Sequence, residues 1–156
     1  MIPIILWGCS KLLCPAPDLR TIRQDYTGNS IRLNGIYYSK NNQFFLYKNG
    51  VYHLGCGDPA ERTIPDKFAC STWPNMVAAS KKNRYHWSIY TVSNDSIYIE
   101  KWELVGDCTY DVFGYNGKII NDSTLFIPTN RDGTKPDTFR FAKFSPKPDS
   151  TNSFIK

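Results

Sequence analysis

Two histidines and five cysteines are the side chains of this 156-residue sequence best suited to chemistry. His53 stands three residues before Cys56, inside His53-Leu54-Gly55-Cys56-Gly57-Asp58. A thiol with an imidazole in hydrogen-bond reach is a nucleophilic pair. In an oxidising compartment a disulfide at Cys56 is the stronger expectation. His53 and His86 fall on separate expected strands, with no spacing that suggests a metal site. Glu100 and Glu103 flank Trp102, but side chains alternate along a strand, so the two carboxylates point to opposite faces. That makes them a poor acid/base pair. The sequence has no Gly-x-Ser-x-Gly, no phosphate loop and no His-Glu-x-x-His. The expectation is a non-enzymatic protein with no catalytic residue, no metal and no cofactor.

Aromatic side chains are the remaining material for a site, at 15% of the chain. Several expected strands carry rings on both faces. One face must fill an interior, and the other can be exposed. A barrel of moderate size can also hold one small apolar ligand. The ligand-binding residues expected on this basis are Tyr38, Phe45, Trp87, Tyr90 and Trp102.

The elements that position these residues are short strands. Leu33–Ser39, Phe44–Lys48 and Val51–Leu54 are β-leaning, and Asn49-Gly50 separates the last two. Asn-Gly between such runs signals a hairpin whose two central residues need positive φ. Strands resume at Tyr85 and turn at Ser93-Asn94-Asp95-Ser96, and a second run covers Ile97–Leu104. A third hairpin is expected from Thr109, turning at Asn116-Gly117 and returning through Ile120. Thr124–Ile127 and Thr138–Phe144 complete about nine strands. Residues 55–83 interrupt them with Pro59, Pro65 and Pro74, and one short helix is expected in the 58–83 connection, from Pro74 to Lys82. No helical repeat separates the strands, which excludes a parallel βαβ sheet. The expected fold is all-β, a single antiparallel up-and-down barrel, closed or nearly closed, which removes the problem of unpaired edges.

Length and charge bound the partners. The chain is long enough for one domain with a real core. Nineteen Lys and Arg against fourteen Asp and Glu leave +5. Residues 1–50 hold six basic and two acidic side chains. The longest basic cluster, Lys81-Lys82-Asn83-Arg84, is too sparse for a nucleic-acid footprint, so no nucleic-acid partner is expected. The N-terminal excess suits an anionic membrane surface.

Met1–Leu6 is apolar and leads to Leu6-Trp7-Gly8-Cys9. This resembles a bacterial lipobox, with a small residue before the cysteine that receives the lipid. It implies lipidation at Cys9; the alternative is an apolar segment tucked onto the domain. Removing Cys9 from the odd count leaves Cys14, Cys56, Cys70 and Cys108, which allow three pairings. Cys56 and Cys70 bracket one connection and are the favoured pair, worth about 3 kcal/mol for a loop of about fifteen residues. Cys14 with Cys108 would then tether the N-terminal segment. The alternative is four reduced core thiols.

Leu33-Asn34-Gly35-Ile36-Tyr37-Tyr38, Phe44–Gly50, Trp87-Ser88-Ile89-Tyr90, Ile97–Trp102 and the ending Ser145–Ser150 are similar to small lipoproteins of Bacteroidetes-type bacteria. The resemblance spans roughly residues 32–152. It implies a lipocalin-like barrel and an outer-membrane lipoprotein of the bacterial cell envelope. Bacteroidetes-type O-glycosylation is a second resemblance, at Asp95-Ser96-Ile97, Asp122-Ser123-Thr124 and Asp149-Ser150-Thr151, which makes Ser96, Ser123 and Ser150 candidates. The expected organisation is a lipobox-like N-terminus and tether (1–31), the barrel (32–145) and a polar tail (146–156). The expected function is binding a small apolar molecule or lipid. The alternative is an envelope protein-interaction module with a filled barrel, either a complex accessory or an enzyme inhibitor.

Overall fold

The computed structural model describes residues 16–40, 42–55, 81–106, 109–130, 134–145 and 147–156. Within them the chain forms eight strands: β1 Gly35–Tyr38, β2 Gln43–Leu46, β3 Val51–Leu54, β4 Trp87–Ser93, β5 Ser96–Gly106, β6 Thr109–Asn121, β7 Thr124–Pro128 and β8 Pro136–Lys143. Each pairs antiparallel with the next, and β8 returns to β1, closing a lipocalin-like up-and-down barrel. The one helical piece among the described residues is a 3₁₀ turn, Arg84–His86, with Asn83 capping it through its side chain. The helix expected from Pro74 lies almost wholly outside the described residues.

Alternation along the strands sorts the side chains. Tyr37, Phe44, Leu46, Tyr52, Tyr90, Ile97, Ile99, Leu125 and Phe139 share the interior cluster. Their outward neighbours on β1–β4 are apolar too. Ile36, Phe45, Val51 and Trp87 form a second buried cluster on the outside of the wall. The C-terminal segment covers it with Phe154 and Ile155. Rings on both faces of these strands therefore bury in two separate cores.

Among the described residues, chain segments plug one end of the barrel and leave the other end open. At the plugged end Ile31 is buried in the interior cluster and Tyr26 lies 6.4 Å from Tyr90, ring to ring. Tyr37 donates its hydroxyl proton to Asp122 O at 3.0 Å and accepts from Arg32 N at 3.0 Å. Arg32 also pairs with the Asp122 carboxylate at 2.8 Å. Residues 16–25, read from composition as part of a tether, run along the outer wall. Trp102 Nε1 donates to Pro17 O at 2.7 Å, and Thr21 N donates to the buried Glu100 carboxylate at 2.8 Å.

Two turns show how packing edits local preference. Asn49-Gly50 does form a hairpin, but only Gly50 has positive φ, at 73°. Gly50 N donates to Tyr47 O, giving a three-residue loop with Gly at its left-handed position. Asn116-Gly117, expected as a turn, lies inside the thirteen-residue strand β6, opposite Tyr98 and Ile97. The long partner β5 holds β6 extended through this point. A Cβ at Gly117 would stand 2.8 Å from Ile127 Cγ1 and 2.9 Å from Phe126 O, so the glycine serves a close strand crossing. The chain reverses instead at Asn121-Asp122-Ser123, where Asn121 Oδ1 accepts from Ser123 N at 3.0 Å. That merger leaves eight strands rather than nine.

Candidate functional site

A cavity of about 710 Å³ enters the barrel from its open end. Phe44, Ile99, Ile127 and Phe139 supply an apolar lining from β2, β5, β7 and β8. Asn42, Asn83, Tyr85, Leu104, Tyr110 and the Pro128–Asn130 segment lie around the mouth. The volume sits within the range of about 300–1,000 Å³ common to small-molecule sites.

One wall of this cavity is charged. Ile97, Ile99, Lys101 and Glu103 alternate along β5, so the two charged side chains follow two isoleucines onto the inner face. Lys101 Nζ lies 3.0 Å from Glu103 Oε1, with the side chains 22% and 12% exposed. Tyr115 donates its hydroxyl proton to the same Glu103 oxygen. The Lys101 ammonium also lies 4.5 Å from the Tyr115 ring centroid. Such contact with a ring face stabilises a cation. Tyr52 and Ser88 precede Lys101 in the cross-strand register. Burial, with help from the neighbouring phenols of Tyr85 and Tyr115, pushes the Tyr52 phenol above its ordinary range. The Ser88 hydroxyl is fully buried and has no hydrogen-bond partner among the described residues.

None of the five aromatic residues expected to bind ligand lines this cavity. Phe45 and Trp87 meet in the outer cluster. Tyr38 follows the inward Tyr37 and takes the opposite face. Trp102 faces the N-terminal segment, with the Arg84 guanidinium 5.0 Å over its ring. Tyr90 points inward near the plugged end and donates to Tyr47 O at 2.8 Å. There it lines a separate crevice of about 440 Å³ with residues 24–30. Reasoning on rings alone misses Lys101 and Glu103. The signal available in the sequence is two charges in register with Ile97 and Ile99.

The remaining chemistry separates cleanly. Glu100 and Glu103 point to opposite faces, as the alternation requires. His53 stacks on Trp87 at 4.2 Å and 21°. Burial first, then the neighbouring His86, lowers its pKa to about 3, so the ring is neutral at physiological pH. Burial also lowers the pKa of His86. Among the described residues no group of three His, Cys, Asp or Glu could hold a metal. Cys9, Cys14, Cys56, Cys70 and Cys108 all lie outside the described residues. Ser96 is exposed at the start of β5. Ser123 is half-buried and donates to the Asp122 carboxylate at 2.5 Å. Ser150 is half-buried and accepts from Asn49 Nδ2 at 3.0 Å.

Among the described residues the architecture is an eight-stranded closed barrel, plugged at one end and hollow at the other. Comparison of the chain with protein-family models, curated proteins and solved structures finds no match.

Proposed function

We propose that the protein is a non-enzymatic binding barrel that takes a small, largely apolar molecule through its open end. The observation that supports this reading is the cavity of about 710 Å³, with Phe44, Ile99, Ile127 and Phe139 along its apolar side and Lys101 and Glu103 on its charged wall. A protein-interaction barrel working through its loops would have a filled interior instead. We further propose that it is a lipoprotein of a Bacteroidetes-type cell envelope, held at the outer membrane by lipid on Cys9. The Leu6-Trp7-Gly8-Cys9 string and the resemblance of residues 32–152 support that placement.

Fluorescence of the uncharged probe N-phenyl-1-naphthylamine tests the cavity. The expected result is saturable binding of one probe per chain, lost in Leu54→Trp, which fills the mouth without touching the outer cluster. Absence of saturable binding by the folded wild-type protein refutes the reading. Native mass spectrometry of protein purified from its own host would then identify the resident molecule.

A further inference from the structure

We infer that the cavity selects an uncharged amphiphile, whose oxygen accepts a hydrogen bond from the Lys101 ammonium while its apolar body lies against Phe44, Ile99 and Phe139. This rests on the binding-barrel reading above and adds the chemical class of the ligand.

The argument starts from the donors of Lys101. An ammonium has three N–H groups. Among the described residues, Glu103 is the single hydrogen-bonding partner within reach of Nζ, and the Tyr115 ring face is its other neighbour. Donor capacity therefore remains on a side chain that lines the cavity. Donors left idle in a partly desolvated site are costly, so a ligand oxygen that meets them gains affinity.

The charge balance then decides which oxygen. Glu103 already compensates Lys101, and the Tyr115 hydroxyl fixes the carboxylate in place. A ligand carboxylate on Lys101 would sit within about 6 Å of Glu103. Like charges at that separation repel strongly where water is scarce. An alcohol, ester or amide oxygen takes the same hydrogen bond without that repulsion. A ligand cation fits no better, because it would face the ammonium.

Volume and lining agree with this class. The apolar residues lie on β2, β5, β7 and β8, and the polar wall lies on β5 and β6. An occupant with one polar group and an extended apolar body matches that division.

The test is displacement of N-phenyl-1-naphthylamine from the full chain by 1-decanol and by decanoate, at neutral pH and below their aggregation concentrations. In the wild type, decanol should displace the probe at a concentration about tenfold lower than decanoate. Glu103→Gln removes the compensating charge and keeps the shape. It should reverse the order, so that decanoate becomes the better competitor. Lys101→Met should weaken decanol about tenfold once the probe's own dissociation constant, measured separately in that variant, is taken into account, and an unweakened decanol overturns the inference. If the wild type binds the probe but takes decanoate as well as decanol, the inference is overturned while the cavity reading stands. The same holds if Glu103→Gln leaves the order unmoved. If the folded wild type does not bind the probe, both fall together.

Discussion

The Lys147 ammonium lies 4.1 Å from the centroid of the Tyr47 ring and donates to the backbone oxygens of Leu33 and Leu46, each at 2.5 Å. One cation thus ties the C-terminal segment to the entry of β1 and the exit of β2. Further along, Lys81 grips both Asp149 oxygens at 2.9 and 2.8 Å, and Arg23 donates to Lys156 O at 2.9 Å. The tail, polar by composition, is a fitted cover for the outer cluster.

Burial lowers the Lys147 pKa to about 8, from 10.5. Between these values the unfolded chain binds more protons at this site than the folded chain. Stability contributed by this group therefore rises as pH increases from 8 to 10. Thermal melts of the wild type and Lys147→Met across that range should converge or diverge in that sense, with the wild type gaining on the variant. Parallel curves would remove Lys147 as the cause.

His53 gives the opposite limb. Its pKa is lowered from 6.5 to about 3, chiefly by burial. Below pH 6.5 the unfolded chain takes up the proton first, so stability falls as pH drops through this range and is lost progressively toward pH 3. The expected loss is about 3 kcal/mol by pH 4. His53→Phe keeps a ring against Trp87 and should flatten most of the slope, His86 accounting for the rest. Urea midpoints at pH 7, 5.5 and 4 check this.

Gly50 carries two constraints at once. Its φ is 73°, and a Cβ there would stand 2.2 Å from Gln24 O in the N-terminal segment crossing above it. Gly50→Val should cost roughly 2–3 kcal/mol, since a β-branched residue resists positive φ and the crossing segment must move. An unchanged urea midpoint would mean that the turn and the segment over it are not formed as described.

Lipid on Cys9 is tested in the native host. Cys9→Ala should shift the protein from the detergent phase to the aqueous phase on phase separation, because two or more acyl chains are needed for stable anchoring. The melting temperature of the domain should stay nearly unchanged. A variant that still partitions with detergent places the anchor elsewhere.

Much of the barrel was legible because strand signals are local. The Ser93–Ser96 reversal and the Asn49-Gly50 hairpin stand where their residues predict, with Asn94 taking φ 54°. Asn116-Gly117 misleads because turn preference is weaker than ten residue pairs of β5–β6 register through and beyond it. The site was less legible for a different reason. Alternation reveals an inner face only when the outer face is polar. Here Phe45 and Trp87 are apolar on the outside, because segments far along the chain cover them. Nothing local to β2 or β4 announces that cover. On β5 the clue was present: Lys101 and Glu103 sit in step with Ile97 and Ile99.

The place where the described chain enters the domain has a geometric consequence. Ala16 O accepts from Arg84 Nη1 at 3.3 Å, and Pro17 meets Trp102, both beside the hollow end of the barrel. From there the segment runs down the wall to the plug. Seven residue steps separate Cys9 from Ala16, a leash of roughly 25 Å at full stretch. If Cys9 carries the proposed lipid, that reach bounds how far the end of the barrel near Ala16 and Arg84, with Leu104, Val105 and Tyr85 exposed on its rim, can stand from the bilayer surface.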